Sequence, residues 1–321
     1  MIKGNICREV MNKLSFLHKN FFIILILSFP LSNFSPALTF NIGYIESESD
    51  RGLSHNWFQE LESNVNLDIN INKELRKENF DSIVFLPTEG YVNCIQRMNI
   101  GEFDVVFCNA VVFCEQKGNY KPILQVRTER DRWRSMGGQP VLQYGIVFVR
   151  SDSQLAKIDN PTNEDIKNFI SKRAMGFISQ YSAVGYIVPM LKIRRDYDTN
   201  PAELIFCKSS EDVVKYVISG LIEIGACENG VIEEVFKKNN LDKNPIDKYV
   251  KVIFTTEPVP TDPFVAKEKY LPEKSGLGKA LKDYLRNYYG DKTKGAMHLE
   301  PSRDEYYDDL RELLKDFSQG K

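Results

Sequence analysis

Histidine is nearly missing from this chain: three in 321 residues, at His18, His55 and His298. His18 lies in the basic N-terminal stretch, and neither of the other two stands in a recognised motif. There is also no glycine-rich phosphate loop, no paired metal carboxylates and no serine elbow, which removes the common enzyme signatures. The enzyme reading that remains is a nucleophile pair of Cys108 with His55. Its mark would be a thiol titrating well below the usual ~8.5. No basic domain and no aromatic-basic motif is present, and the formal net charge is −2, so nucleic acid is not an expected partner. Internal repeats and low-complexity segments are absent. No cysteine spacing matches a zinc pattern, and no cofactor is called for. Apolar content is ordinary and charges are mixed, as in a globular protein of one large domain or two lobes.

The apolar run Phe21 to Phe29 falls far short of the ~20 residues of a membrane span. Lys3, Arg8, Lys13 and Lys19 precede it, and Ser35-Pro36-Ala37 follows in a small-residue cleavage pattern. Residues 1–37 therefore read as an export signal cut after Ala37, with Met1 or Met11 as the start; the opposing reading is an uncleaved anchor. Removing them takes away four basic residues and Glu9, which leaves the mature chain at −5. Cys94, Cys108, Cys114, Cys207 and Cys227 remain, an odd number in apolar surroundings, and read as small buried hydrophobes.

Short apolar strands alternate with helical patterns along the mature chain. Leu38 to Tyr44, Ile83 to Leu86 and Phe103 to Cys108 read as strands; Trp57 to Leu67 and Tyr91 to Ile100 read as helices. This is the signature of an α/β lobe with a parallel sheet. Pro122 to Arg127 is a further strand. After the charged loop Thr128 to Gln139, Val141 to Arg150 reads as one long strand able to cross between lobes. A second α/β unit begins at Asp165, with strands at Glu203 to Cys207 and Ile222 to Cys227 around a helix from Glu211. Lys251 to Thr255 is expected to turn back toward the first lobe. Pro258 to Pro263 demands an extended or turn path, in which Asp262 is expected to close an Asx-type turn. The amphipathic tail from Gly278 reads as two helices docked on their own lobe, or else as a pairing surface.

The most informative stretch is Ala174 to Met190, A-M-G-F-I-S-Q-Y-S-A-V-G-Y-I-V-P-M. A strand, a small polar turn and a helix start follow one another. Free N–H groups and the positive end of the helix dipole make the first turn an anion site. Ser182 is a good N-cap type that adds a hydroxyl. Pro189 lies beyond the preferred first helical position and is expected to kink or tighten the turn.

Four stretches together resemble a known family: Gly101 to Asn109, Tyr144 to Ser153, Ser182 to Pro189 and, most specifically, Pro258 to Val265, P-V-P-T-D-P-F-V. The chain resembles the phosphonate/phosphite/phosphate-binding proteins of ATP-driven importers. The resemblance implies an α/β fold of the type II periplasmic-binding-protein kind: two lobes, each a mostly parallel sheet flanked by helices, with a ligand cleft between them. It implies a leader over 1–37, a first lobe over 38–143, a second over 144–250 and a return over 251–321. Location is then periplasmic or extracytoplasmic, the partner an ABC permease in the membrane, and the cargo a small phosphorus oxyanion held as the lobes hinge shut. The family's turn usually reads Ser-Thr-Ser-Gly, whereas here it is Ser182-Ala183-Val184-Gly185, with one hydroxyl and two bare N–H groups. Tyr181 or the loop arginines Arg127, Arg130, Arg132 and Arg134 are replacement donors. By the same resemblance Tyr91, Cys108, Asn109, Tyr144, Glu211 and Glu228 line the cleft. The alternatives are a ligand-sensing module of a signalling system, or the same fold with another small anion.

Overall fold

The computed structural model of the protein describes residues 37–46, 55–128, 139–241, 245–292 and 297–320. Leader residues 1–36 and three of the four loop arginines, Arg130, Arg132 and Arg134, lie outside them. The first lobe runs β1 (Thr39–Ile45), α1 (His55–Val65), α2 (Ile69–Lys77), β2 (Ser82–Thr88), α3 (Gly90–Asn99), β3 (Val105–Phe107), α4 (Ala110–Glu115) and β4 (Tyr120–Thr128). Local chemistry sets these bounds. Asp68 caps α2 by accepting the Asn70 and Ile71 N–H groups at 2.9 Å, and removing such a cap typically costs ~1 kcal/mol.

The chain crosses through β5 (Leu142–Gln143) and β6 (Gly145–Arg150), so the run read as one long strand is broken at Tyr144. The second lobe follows with α5 (Asn163–Ile170), β7 (Ala174–Phe177), a π-helical turn (Ala183–Ile187), α6 (Val188–Tyr197), β8 (Glu203–Phe206), α7 (Ser210–Ser219), β9 (Ile224–Glu228), α8 (Val231–Lys238) and β10 (Val250–Thr255). A reciprocal capping box between Thr162 and Asp165 starts α5. The return comprises β11 (Val259–Pro260), β12 (Pro263–Lys267), α9 (Gly276–Lys292), β13 (Met297–Pro301) and α10 (Asp308–Ser318).

The first sheet has the order β13-β4-β12-β3-β1-β2 and the second β10-β6-β9-β7-β8, with β11 and β5 as a small ribbon between them. Both sheets are mixed: the first has two parallel and three antiparallel pairings, the second two of each. β1 runs parallel to β2 and β3, and β7 parallel to β8 and β9. The strands that enter from the other lobe or return to the sheet, β12, β6 and β10, run antiparallel to their neighbours. β10 is the edge of the second sheet, paired with β6, so the return begins after it, at β11, rather than at 251.

β6 buries Gly145 through Val149 on both faces, as expected of a strand covered by helices on each side. One apolar cluster fills the outer face of the first sheet under α1, α2 and α9, and another the outer face of the second under α7 and α8. A third runs without a break from Cys94, Val106 and Phe113 in the first lobe, through Tyr307 and Leu310, to Phe177 and Val188 in the second. α10 is the wedge in that cluster, packed on α4 and α6. Burying a side chain such as Leu310, fully enclosed, contributes roughly 1.5–3 kcal/mol. The tail helices thus dock on their own chain, with Leu277, Leu281 and Leu285 of α9 buried.

Candidate functional site

The strand β7 ends at Phe177 and the chain reverses through Ser179, whose hydroxyl accepts the Tyr181 N–H at 3.1 Å. Ser182 stands at the helix start in extended conformation, and its Oγ accepts the Gly185 N–H at 3.0 Å. Its carbonyl oxygen accepts from both Tyr186 and Ile187, at 3.1 and 3.0 Å, so the first turn is π-helical. Pro189 accounts for this. Lacking an N–H, its ring would clash with the Gly185 carbonyl in a regular α-helix, and widening the preceding turn relieves that contact. The expected effect of Pro189 is therefore a wider turn, not a tighter one. The N–H groups of Ala183 and Val184 have no partner among the described residues, although both residues are buried. With the Ser182 hydroxyl they make three donors at the positive end of a helix.

Two glycines make this turn fit. A Cβ on Gly145 would lie 2.1 Å from the Val184 carbonyl oxygen, so the crossing strand approaches the turn as closely as backbone can. A Cβ on Gly185 would lie 2.7 Å from Ser182 Oγ and 2.3 Å from Ile178 Cδ1. Any side chain there would disturb the cap.

The facing wall comes from the first lobe. Asn109 caps α4, its Oδ1 accepting the Val112 N–H at 2.8 Å, while its Nδ2 donates to the Tyr181 carbonyl at 3.1 Å. The Asp262 carboxylate accepts the Ala110 N–H at 3.1 Å. That bond is structural, and it reaches across the fold to α4.

Between these walls lies a cavity of about 60 Å³. Six of the ten residues expected at the site line it: Tyr91, Asn109, Ser182, Ala183, Val184 and Glu228. Glu228, at the end of β9, is buried. The other four lie elsewhere. Tyr181 packs its ring on Tyr91, centroids 4.9 Å apart, outside the lining. Cys108 is enclosed behind the wall, and burial pushes its thiol well above the ordinary value, opposite to what a nucleophile needs. The side chain of His55 lies outside the described residues. Tyr144 borders a separate cavity of about 390 Å³ with Leu142, Thr255, Thr256 and Pro258. Glu211 sits on α7, its carboxylate held below the usual range by hydrogen bonds from Lys215 and Lys238, each at 2.7 Å. These lysines, one turn along α7 and across on α8, turn it away from the cavity.

Gln143 and Asp262 line the cavity as well. Gln143 was missed, although it is the one polar residue between apolar neighbours in V-L-Q-Y-G-I-V and is buried. Arg127, on β4, lies 3.2 Å from Glu300 and does not line the cavity. The five described cysteines form no disulfide, and Cys94 and Cys114 are pushed up to about 12 by burial. Among the described residues no group of three His, Cys, Asp or Glu could hold a metal ion, and no helix is long and apolar enough to cross a membrane.

Two α/β lobes joined by a β ribbon, with a helix start lining a small cavity between them, define a two-lobed substrate-binding protein of the periplasmic type. Solved structures share the fold. A binding protein component of an ABC phosphonate transporter from Pseudomonas aeruginosa is 15% identical, with 88% of this chain and 87% of that one covered and a TM-score of 0.60. PhnD1 from Prochlorococcus marinus, solved with methylphosphonate, is 14% identical over 88% of this chain and 98% of that one, with a TM-score of 0.59. A Xanthomonas citri protein solved with chloride is 19% identical over 88% and 99%, with a TM-score of 0.61. Among curated proteins no sequence match is found. The family of ABC transporter, phosphonate, periplasmic substrate-binding proteins matches residues 70–316. The chain belongs to that family.

Proposed function

We propose that this chain is the extracytoplasmic receptor of an ABC importer and carries a small phosphorus oxyanion (phosphonate, phosphite or phosphate) to a membrane permease. The observation that carries the reading is the trio of donors facing the cavity: the Ser182 hydroxyl and the Ala183 and Val184 N–H groups. Their charge and geometry suit an anion bound end-on to a helix. A cavity of about 60 Å³ suits a small cargo rather than a large one. Tyr91, Asn109, Gln143, Glu228 and Asp262 supply further polar lining, and Tyr181 backs Tyr91.

On this reading residues 1–37 are an export signal, and the lobes close by hinge motion at the crossing strands. Affinity falls in the micromolar to nanomolar range, roughly −8 to −12 kcal/mol. One hydroxyl among the donors favours a cargo that asks for few hydrogen bonds, so phosphite or methylphosphonate stands ahead of phosphate. Titration calorimetry of the chain from Leu38 onward with methylphosphonate tests the reading. Binding is expected in the wild type and is expected to be lost in Ser182→Asp. Aspartate also caps helices well, so the fold is kept while a negative charge faces the anion. Equal binding by both proteins would overturn the proposal.

A further inference from the structure

Asn109 makes two bonds with one side chain. Its Oδ1 holds the first turn of α4 in the first lobe, and its Nδ2 reaches the carbonyl of Tyr181, the residue just before the anion turn of the second lobe. Beside it the Tyr91 ring, at the start of α3, packs on the Tyr181 ring at 4.9 Å and a 34° tilt. Both contacts join the lobes directly through groups of the protein itself. Contacts of this kind favour a closed form independently of cargo. The apparent affinity of a receptor scales with the fraction of molecules already competent to bind.

We propose that Asn109, with the Tyr91–Tyr181 ring pair, is an interlobe latch that sets the closed fraction of the cargo-free receptor. Asn109 is then a positioning residue whose main partner is the opposite lobe, not the cargo. The proposal rests on the receptor reading only for its effect on affinity; the contact stands without it. It also explains why an asparagine serves here. Serine or aspartate would cap α4 equally well, but the amide places its acceptor and its donor on two separate atoms, Oδ1 toward α4 and Nδ2 toward the Tyr181 carbonyl.

The test uses Asn109→Ser, which keeps a neutral capping hydroxyl and removes the second polar atom, Nδ2, that reaches the Tyr181 carbonyl. A second variant, Tyr91→Leu, keeps apolar packing and removes the ring pair. Small-angle scattering of the cargo-free proteins is compared with calorimetric titration of methylphosphonate and phosphite. The latch predicts a larger radius of gyration for both variants without cargo. It also predicts that affinity falls by about fivefold to tenfold, by the same factor for both probes, because the closed fraction is common to them. Unchanged cargo-free scattering in both variants would overturn it, whatever happens to affinity. Loss of affinity for one probe alone, with unchanged scattering, would make Asn109 a direct cargo contact instead. If the wild type binds neither probe the receptor reading for phosphorus oxyanions fails, and the cargo-free scattering still decides the latch.

Discussion

Ser182 does two jobs with one hydroxyl. It accepts the Gly185 N–H at 3.0 Å, and its own hydrogen remains to be donated into the cavity. Ser182→Ala therefore has two separable costs. Loss of the cap is expected to lower unfolding free energy by ~1 kcal/mol, read by denaturant titration. Loss of a charge-assisted bond to the cargo, ~1.5–3 kcal/mol, is expected to weaken binding by roughly 10- to 100-fold, read by calorimetry. Comparable losses from Cys108→Ala would contradict this account, since that thiol is enclosed and lies outside the lining. At this scale the sequence was legible where a residue's role is local. The capping role of Ser182 follows from its type and position, and burial of Cys94, Cys108, Cys207 and Cys227 from their apolar neighbours; Cys114 is only half-buried. Roles that depend on distant partners were not legible. Nothing near Glu211 in the chain announces Lys238, and nothing near Asp262 announces the Ala110 N–H, 152 residues away.

Among elements, the close approach of β6 to the anion turn is the tightest constraint. Gly145 also ties the crossing strands together: its N–H donates to Thr256 Oγ1 at 2.8 Å and its carbonyl accepts the Thr256 N–H at 2.9 Å. Gly145→Ala would press a methyl against the Val184 carbonyl, 2.1 Å away before relaxation. The expected result is a stability loss of about 1–3 kcal/mol with weakened cargo binding, because the turn must shift. A variant that binds as well as the wild type would show that the turn can move without cost.

The wedge helix α10 has an electrostatic anchor. Burial alone would raise the Asp304 carboxyl, but hydrogen bonds from Lys121 and Arg311 outweigh it and hold the group below the usual aspartate range. A carboxyl depressed on folding adds stability above its unfolded pKa of ~3.9 and loses it as pH falls through the lower folded value. These side chains are partly exposed, so the contribution is at most about 1 kcal/mol. Asp304→Asn is expected to flatten the fall in stability between about pH 4 and pH 2 without changing its form above pH 5. An unchanged acid limb would contradict the assignment.

The elements that escaped sequence reading share physical reasons. α4 is six residues of A-V-V-F-C-E, too short for helical periodicity and rich in β-branched residues. α2 opens I-N-I-N, a period-two pattern that reads as strand until Asp68 is recognised as its cap. The break at Tyr144 is invisible because the apolar run continues on both sides of it.

For the whole molecule, the alternation of strands and helices was legible, and so was the passage between lobes, because binary patterning carries both. The antiparallel pairings of each sheet were not, since direction depends on where the chain re-enters a sheet rather than on any local pattern. The continuous apolar cluster through α10 likewise belongs to the assembled chain. Through it α10 touches the candidate anion turn: Phe317 of α10 packs edge-on against Tyr186, centroids 5.5 Å apart.

The central claim, that the turn at Ser182 holds a small phosphorus oxyanion, is tested most directly by a thermal-shift panel. The chain from Leu38 onward is heated with phosphate, phosphite, methylphosphonate, aminoethylphosphonate, sulfate and small carboxylates. A cargo at a hundred times its dissociation constant stabilises by ~2.7 kcal/mol, enough to read. The account predicts a clear rise in melting temperature with at least one small phosphorus oxyanion, lost in Ser182→Asp. A rise with sulfate or a carboxylate and with no phosphorus compound would contradict it.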